Sequence, residues 1–210
     1  LGVVYYDDDD NDIFFTSIFD AIEVSIDEST LDATDEYGAS PSVVFISDQV
    51  GYVFYIDAAS LDLAYRKTTD GGKNWSNASV VIDTVVTGWT TVSVWYDQWT
   101  PGDTTGTKIH IAVSDDTSDD IYYTFLDTAD DTLKGSVVAA VLGTTLTESS
   151  DGPPSITKGA GGALFIYGNF TTTAGGGVAK STDGAGAVWA NITPGSWSSV
   201  ALDQMQLVPL

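Results

Sequence analysis

The feature that most constrains this chain is that it repeats itself. Residues 2–20 read GVVYYDDDDNDIFFTSIFD and residues 110–128 read HIAVSDDTSDDIYYTFLDT. Laid over each other without gaps, both give a β-type run, an acidic turn, and then Ile-aromatic-aromatic-Thr. A second pair also matches: residues 51–75 (GYVFYIDAASLDLAYRKTTDGGKNW) resemble residues 162–189 (GALFIYGNFTTTAGGGVAKSTDGAGAVW). A repeated segment is one supersecondary unit that cannot bury its apolar surface alone and must stack on its neighbours.

The repeated element is strand and turn. Short runs of β-branched and aromatic residues recur at 43–47, 52–56, 63–67, 92–96, 109–113, 121–125, 137–141, 164–167 and 178–180, separated by Asp, Gly, Asn and Thr clusters. Good helix formers such as Glu, Lys, Arg and Gln are scarce, which favours strands. Evenly spaced short strands indicate a sandwich, a barrel or a propeller, and a period of roughly 50–55 residues suits a propeller blade with long loops. The reading is an all-β chain, a β-propeller of four-stranded antiparallel blades. Its units run approximately over 1–40, 41–88, 89–148 and 149–196. Residues 197–210 form a strand that completes the first unit, which lacks its own first strand. The competing organisation is a piece of a propeller of more blades, or a sandwich. The chain begins with Leu1 rather than Met, so a processed product or fragment is expected. Runs apolar on both faces, such as Tyr52–Ile56, are expected in the core rather than at a binding platform.

Two segments carry a sharper signal. Thr68-Thr-Asp-Gly-Gly-Lys-Asn-Trp75 fits Ser/Thr-x-Asp-x-Gly-x-x-Trp, and Ser181-Thr-Asp-Gly-Ala-Gly-Ala-Val-Trp189 is a second copy with one extra residue. In such a turn Asp70 accepts backbone N–H bonds, Gly71 and Gly72 permit positive φ, Thr68 bonds locally and Trp75 buries a large ring. The same roles fall to Ser181, Asp183, Gly186 and Trp189. The pattern resembles the Asp box of sialidases and related BNR-repeat propellers. In that family the box is structural, so it speaks for fold and not for function.

The resemblance implies a sialidase site in which three arginines clamp a carboxylate, the geometry a bidentate guanidinium supplies. This chain has one arginine, Arg66, so an active sialidase is not expected from the chain by itself. Another glycosidase needs two suitably spaced carboxylates; among the 30 acidic residues candidate pairs are too many to choose between. The only histidine, His110, has no nucleophile motif to pair with, and a structural or surface role is expected.

Charge excludes further classes. A net charge of -23 repels nucleic acid and anionic membranes, which require a basic footprint. No apolar run is long enough for a membrane span. The absence of cysteine removes disulfides and thiolate metal sites. Asp7, Asp8, Asp10 and Asp12 crowd one turn and Asp115, Asp116 and Asp119 crowd its repeat, an oxygen-rich composition that suits Ca²⁺ but is also that of a solvated acidic hairpin. No other cofactor is expected. Asn74, Asn77, Asn169 and Asn191 stand in N-x-Ser/Thr sequons, glycosylation acceptors on an exported chain.

The function expected is a non-catalytic propeller module, extracellular or on a cell or virion surface, with a structural or glycan-binding role. Its partners are glycans or other protein subunits. Trp89, Trp95, Trp99 and Trp197 are the candidate glycan-contact aromatics. The alternatives are a fragment of a sialidase-like glycoside hydrolase and an architectural repeat of a filament or virion.

Overall fold

The computed structural model describes residues 2–7, 12–17, 23–27, 42–57, 62–82, 89–115, 120–134, 138–141, 154–168, 177–181, 183, 185–192 and 207–208. They form four antiparallel sheets. The first is β1 (Gly2–Asp7), β2 (Asp12–Ser17) and β3 (Glu23–Asp27), in that order. The second is β4 (Ser42–Phe45), β5 (Gly51–Ile56), β6 (Leu63–Thr68) and β7 (Ser79–Ile82). The third contains β8 (Trp89–Tyr96), β9 (Lys108–Asp115), β10 (Asp120–Asp127), β11 (Thr132–Leu133) and β12 (Val138–Val141). The fourth is β13 (Ser155–Lys158), β14 (Leu164–Gly168), β15 (Gly177–Ser181) and β16 (Trp189–Asn191). In the first, second and fourth sheets consecutive strands pair throughout, so each is a meander of hairpins built from local contacts.

The third sheet departs from four plain strands. Both β11 and β12 pair with β10, Leu126 opposite Leu133 and Tyr123 opposite Val138. Both therefore lie along the same edge of β10. β11 follows a tight turn in which Asp131 takes φ 56°, a left-handed conformation that short polar Asp tolerates.

The chain divides into two compact units, residues 1–92 and 93–210, and each has its own core. In the first, Ile13, Phe15 and Ile26 pack with Val53, Tyr55 and Ala64, flanked by Val43, Phe45 and Trp75. In the second, Ala112, Ile121 and Tyr123 pack with Ile156, Leu164 and Ile166, flanked by Trp95, Phe125 and Trp189. The two clusters are the same cluster twice. In the gap-free alignment of residues 2–20 with 110–128, Ile13 falls on Ile121 and Phe15 on Tyr123. Face-to-face packing of two sheets therefore comes from matching apolar faces, at roughly 25 cal/mol for each Å² removed from water. The six residues of β5 are all buried, the pattern of a strand covered on both faces.

Among the described residues no helix is long and apolar enough to cross a membrane. The strand expected over 197–210 lies outside the described residues, apart from Leu207 and Val208; Leu207 donates its N–H to Ser155 Oγ at 2.9 Å.

Candidate functional site

Two turns repeat with the same chemistry. In the first, the buried Thr68 hydroxyl donates to Asp70 Oδ1 (2.9 Å) and accepts the Gly72 N–H (2.9 Å). Asp70 also accepts the Asn74 N–H (2.9 Å) and its side-chain amide (2.7 Å). The Asn74 hydrogen bonds hold the Asp70 carboxyl down at about 2. In the second, Ser181 Oγ donates to Asp183 Oδ1 (2.7 Å) and accepts the Gly186 N–H (3.1 Å), while Asp183 also accepts from Ala185, Gly186 and Ala187. Gly72 (φ 93°) and Gly186 (φ 81°) occupy the left-handed region, which glycine enters without penalty. Each also lies flat on a ring: a Cβ on Gly72 would meet Phe15 Cζ at 2.6 Å, and one on Gly186 would meet Tyr123 Cζ at 2.5 Å. Trp75 closes the first turn against Phe15 and Phe45. Trp189 closes the second against Tyr123 and donates Nε1–H to Gly186 O at 2.8 Å.

In the second unit the ring under the turn carries a hydroxyl, and a buried polar chain starts there. Tyr123 OH lies 2.8 Å from His110 Nδ1, and His110 Nε2 lies 2.9 Å from Asp97 Oδ1. Asp97 accepts, so Nε2 carries the imidazole proton and Nδ1 accepts from Tyr123 O–H. The same Asp97 oxygen accepts from Lys158 Nζ at 2.6 Å, and its second oxygen accepts the Lys108 N–H at 3.0 Å. Lys158 also reaches Asp103 Oδ2 at 3.1 Å. Asp103 Oδ1 in turn accepts the N–H groups of Gly106 (2.8 Å) and Thr105 (3.2 Å).

Burial fixes the charge states. Desolvation pushes the His110 imidazole below its ordinary value, against the pull of Asp97, so it is neutral at pH 7. Burial also raises the Asp97 carboxyl, but the hydrogen bonds from His110 and Lys158 together outweigh it and hold Asp97 well below the usual carboxylate range. The Lys158 hydrogen bond lowers Asp103 likewise. Lys158 loses some basicity to burial and regains more from the two carboxylates, so it stays charged. Burial raises the Tyr123 phenol, and it stays protonated.

Local sequence puts these groups in place. A single 3-10 turn, Asp97–Trp99, ends β8 and turns the chain into a loop shaped by Pro101 and Gly102. Gly106 makes room for Asp97, since a Cβ there would lie 2.6 Å from the Asp97 carboxyl carbon. Beside this loop lies an open depression of about 350 Å³, walled by residues 100–105 on one side and by Lys158, Gly159, Ala160 and Gly162 on the other. Its lining is hydroxyl, carboxylate, backbone and ammonium. Trp99, one residue before the first lining residue Thr100, is 41% exposed, with its ring held in T-shaped contacts by Trp95 (5.7 Å) and Tyr96 (6.5 Å).

No family model matches the chain. None of the curated proteins matches it either. Solved structures do. The catalytic domain of a GH62 α-L-arabinofuranosidase from Coprinopsis cinerea superposes with a TM-score of 0.54 at 14% identity, covering 95% of this chain and 67% of that one. An α-L-arabinofuranosidase from Podospora anserina in complex with cellotriose gives 0.51 at 16% identity, covering 89% and 60%. A Hadza microbial sialidase gives 0.50 at 12% identity, covering 86% and 39%. The sheets are blades of a β-propeller. The chain thus spans between 39% and 67% of the lengths of these three neighbours, which are glycoside hydrolases.

The remaining residues singled out in the sequence have varied fates. Trp89 is 3% exposed; buried at the start of its blade strand, it presents no face to a ligand. Trp95 is half-buried, packs on the second core and spends its indole N–H on Thr100 Oγ1 at 3.0 Å, so it supports Trp99 instead of meeting solvent. Trp197 lies outside the described residues. Asp7 and Asp12 face each other in register across the first hairpin, and Asp115 is buried at the end of β9; Asp8, Asp10, Asp116 and Asp119 lie outside the described residues. Among the described residues no three His, Cys, Asp or Glu side chains converge as a metal site would require. Asn74, Asn77 and Asn191 are exposed, and Asn169 lies outside the described residues. Arg66 donates Nε–H to Tyr55 OH at 3.1 Å. His110 is not on the surface: it is 3% exposed in the middle of the polar chain. Sequence reasoning missed Asp97, Asp103, Lys158 and Tyr123 altogether. The one available signal was a lone histidine in a strand whose neighbours are otherwise apolar.

Proposed function

We propose that this chain is a non-catalytic, glycan-binding propeller module, exported or displayed on a cell or virion surface, with its ligand site at the depression beside Trp99. The observation that carries the reading is an exposed, braced indole one residue before Thr100, where the wall of a shallow polar cavity begins. Sugars are bound by stacking their apolar faces on an aromatic ring while short polar groups and backbone take the hydroxyls. The neighbours are glycoside hydrolases, which supports a glycan-related role for this fold. The repeated turns, with a buried hydroxyl, an Asp acceptor, a Gly on a ring and a closing Trp, support membership among Asp-box propellers.

Against catalysis stand the charge states. A glycosidase requires a carboxylic acid kept protonated near neutrality to protonate the leaving group. The two carboxylates at this site are held as anions by Lys158 and by backbone N–H groups. The single arginine is engaged with Tyr55, and one guanidinium does not make the three-arginine clamp that the sialidase resemblance implies. One observation favours a second reading: the chain spans little more than a third of the sialidase neighbour, as a fragment of a sialidase-like glycoside hydrolase does. A glycan array with the purified chain, followed by a reducing-end assay on every glycan retained, decides between them. Retention without release of reducing ends supports a binding module. Release, abolished by substitution at the site, supports the enzyme fragment. Retention of nothing overturns both.

A further inference from the structure

We infer that the depression selects uncharged sugars over acidic ones, with Lys158 as the ligand-contacting donor and Asp97 and Asp103 as the charges that turn acids away. The inference rests on the glycan-binding reading above and adds the class of ligand to it.

The charge count comes first. One ammonium, Lys158, stands between two carboxylates, Asp97 at 2.6 Å and Asp103 at 3.1 Å. With His110 neutral the cluster is one charge negative. An arriving carboxylate or sulfate meets a cation already neutralised and a net charge of its own sign, on a chain that carries -23 overall. To accept the remaining Lys158 N–H it must settle beside two carboxylates already paired with that ammonium, and like charges at such range repel; to displace Asp97 instead would leave a buried carboxylate unpaired. A hydroxyl asks for none of this. An ammonium has three donors, and among the described residues two are taken, by Asp97 and Asp103. The third N–H suits a hydroxyl oxygen, and the Lys158 side chain is 18% exposed, enough to be met from the depression.

The polar chain behind Lys158 is not required by the fold. The alignment of residues 2–20 with 110–128 places Gly2 at His110 and Phe15 at Tyr123. Phe15 bears the Gly72 turn as Tyr123 bears the Gly186 turn, so the first unit makes the same packing contact through a ring that has no hydroxyl, with glycine at the position of the histidine. Buried ionic networks are seldom the most stable filling for a core. The second unit carries one nonetheless, and its far end is the ammonium at the depression. Asp97 is thus a positioning residue: Tyr123 and His110 fix its carboxylate, and the carboxylate fixes Lys158.

The test uses the full chain and a panel of neutral trisaccharides (gluco-, xylo-, manno- and galacto-configured) beside trigalacturonic acid, titrated calorimetrically. The wild type is expected to bind at least one neutral trisaccharide and to bind the uronic acid at least about tenfold more weakly, the scale of one like charge at close range in a partly desolvated site. Lys158→Met is expected to weaken the neutral sugar about tenfold or more. Asp103→Asn, on the loop and removing one negative charge, is expected to narrow the neutral-to-acidic ratio about tenfold while the melting temperature changes little; it keeps the idea testable if Lys158→Met does not fold. Uronic acid bound as tightly as neutral sugar, or a ratio unmoved by Asp103→Asn, overturns the inference and leaves glycan binding standing. Binding of no sugar by the wild type overturns both.

Discussion

The packing of a turn glycine on an aromatic ring can be tested by adding one methyl group. In Gly186→Ala the new Cβ lies 2.5 Å from Tyr123 Cζ and 2.7 Å from Cδ1, well inside van der Waals contact. The residue must also hold φ 81°. Forcing a methyl into a filled core costs about 1–3 kcal/mol, and an L side chain in the left-handed region about 1–2 kcal/mol. A total of about 3 kcal/mol lowers Tm by about 6–12 °C for a chain of this size. Gly102→Ala is the control. Gly102 also has positive φ, 85°, but nothing lies within 4 Å of its Cβ position. It retains only the backbone cost, about 1 kcal/mol, or about 2–4 °C. Differential scanning calorimetry of the two variants beside the wild type separates contact from strain. Equal losses in both would refute the claim that the turn is seated on Tyr123.

Three further outcomes follow. The Asp70 carboxyl titrates at about 2 in the fold against 3.8 unperturbed; as pH falls the unfolded chain takes up the proton first, so Asp70 contributes stability above about pH 4 that is lost on approach to pH 2. Asp70→Asn is therefore expected to be less stable at pH 7 and to show a shallower acid transition, read from urea midpoints across that range. Tyr123→Phe, which installs the residue of the other repeat, keeps the ring under Gly186 but leaves His110 Nδ1 without its donor; a loss of about 1–3 kcal/mol is expected by urea denaturation, together with weaker sugar binding, and an unchanged affinity would detach the polar chain from the site. If Ca²⁺ sits in the acidic turns at 7–12 and 115–120, EDTA lowers Tm; an unmoved Tm removes the metal.

The fold was more legible than the site because its signals are local. β5 and β10 announce themselves by composition, and the hairpins joining successive strands need only turn residues between apolar runs. The first matching segment pair falls on the two cores, where Ile13 and Phe15 recur as Ile121 and Tyr123 on equivalent strands, though the repeat alone did not name them as core. The turns at 68–75 and 181–189 were readable because the side-chain hydrogen bonds that shape them join residues at most five positions apart. The polar chain joins Asp97 to Lys158, 61 positions apart, and nothing in a sequence holding 30 acidic residues says which of them a lysine will meet. For His110 the sequence left a structural and a surface role open, and the buried one was unreadable for the same reason: its partners Tyr123 and Asp97 each lie 13 positions away. Trp89, Trp95 and Trp99 are indistinguishable as letters; only the 3-10 turn after β8 brings the third to the surface.

The most direct test of the glycan-binding account is a ¹H–¹⁵N correlation spectrum of the chain titrated with a neutral oligosaccharide that it retains on an array. The account predicts saturable shifts of the Trp99 indole N–H and of backbone amides at 100–105 and 158–162, with the Trp89 indole unmoved. Saturable binding that leaves those signals still and moves others would place the ligand elsewhere and contradict the account.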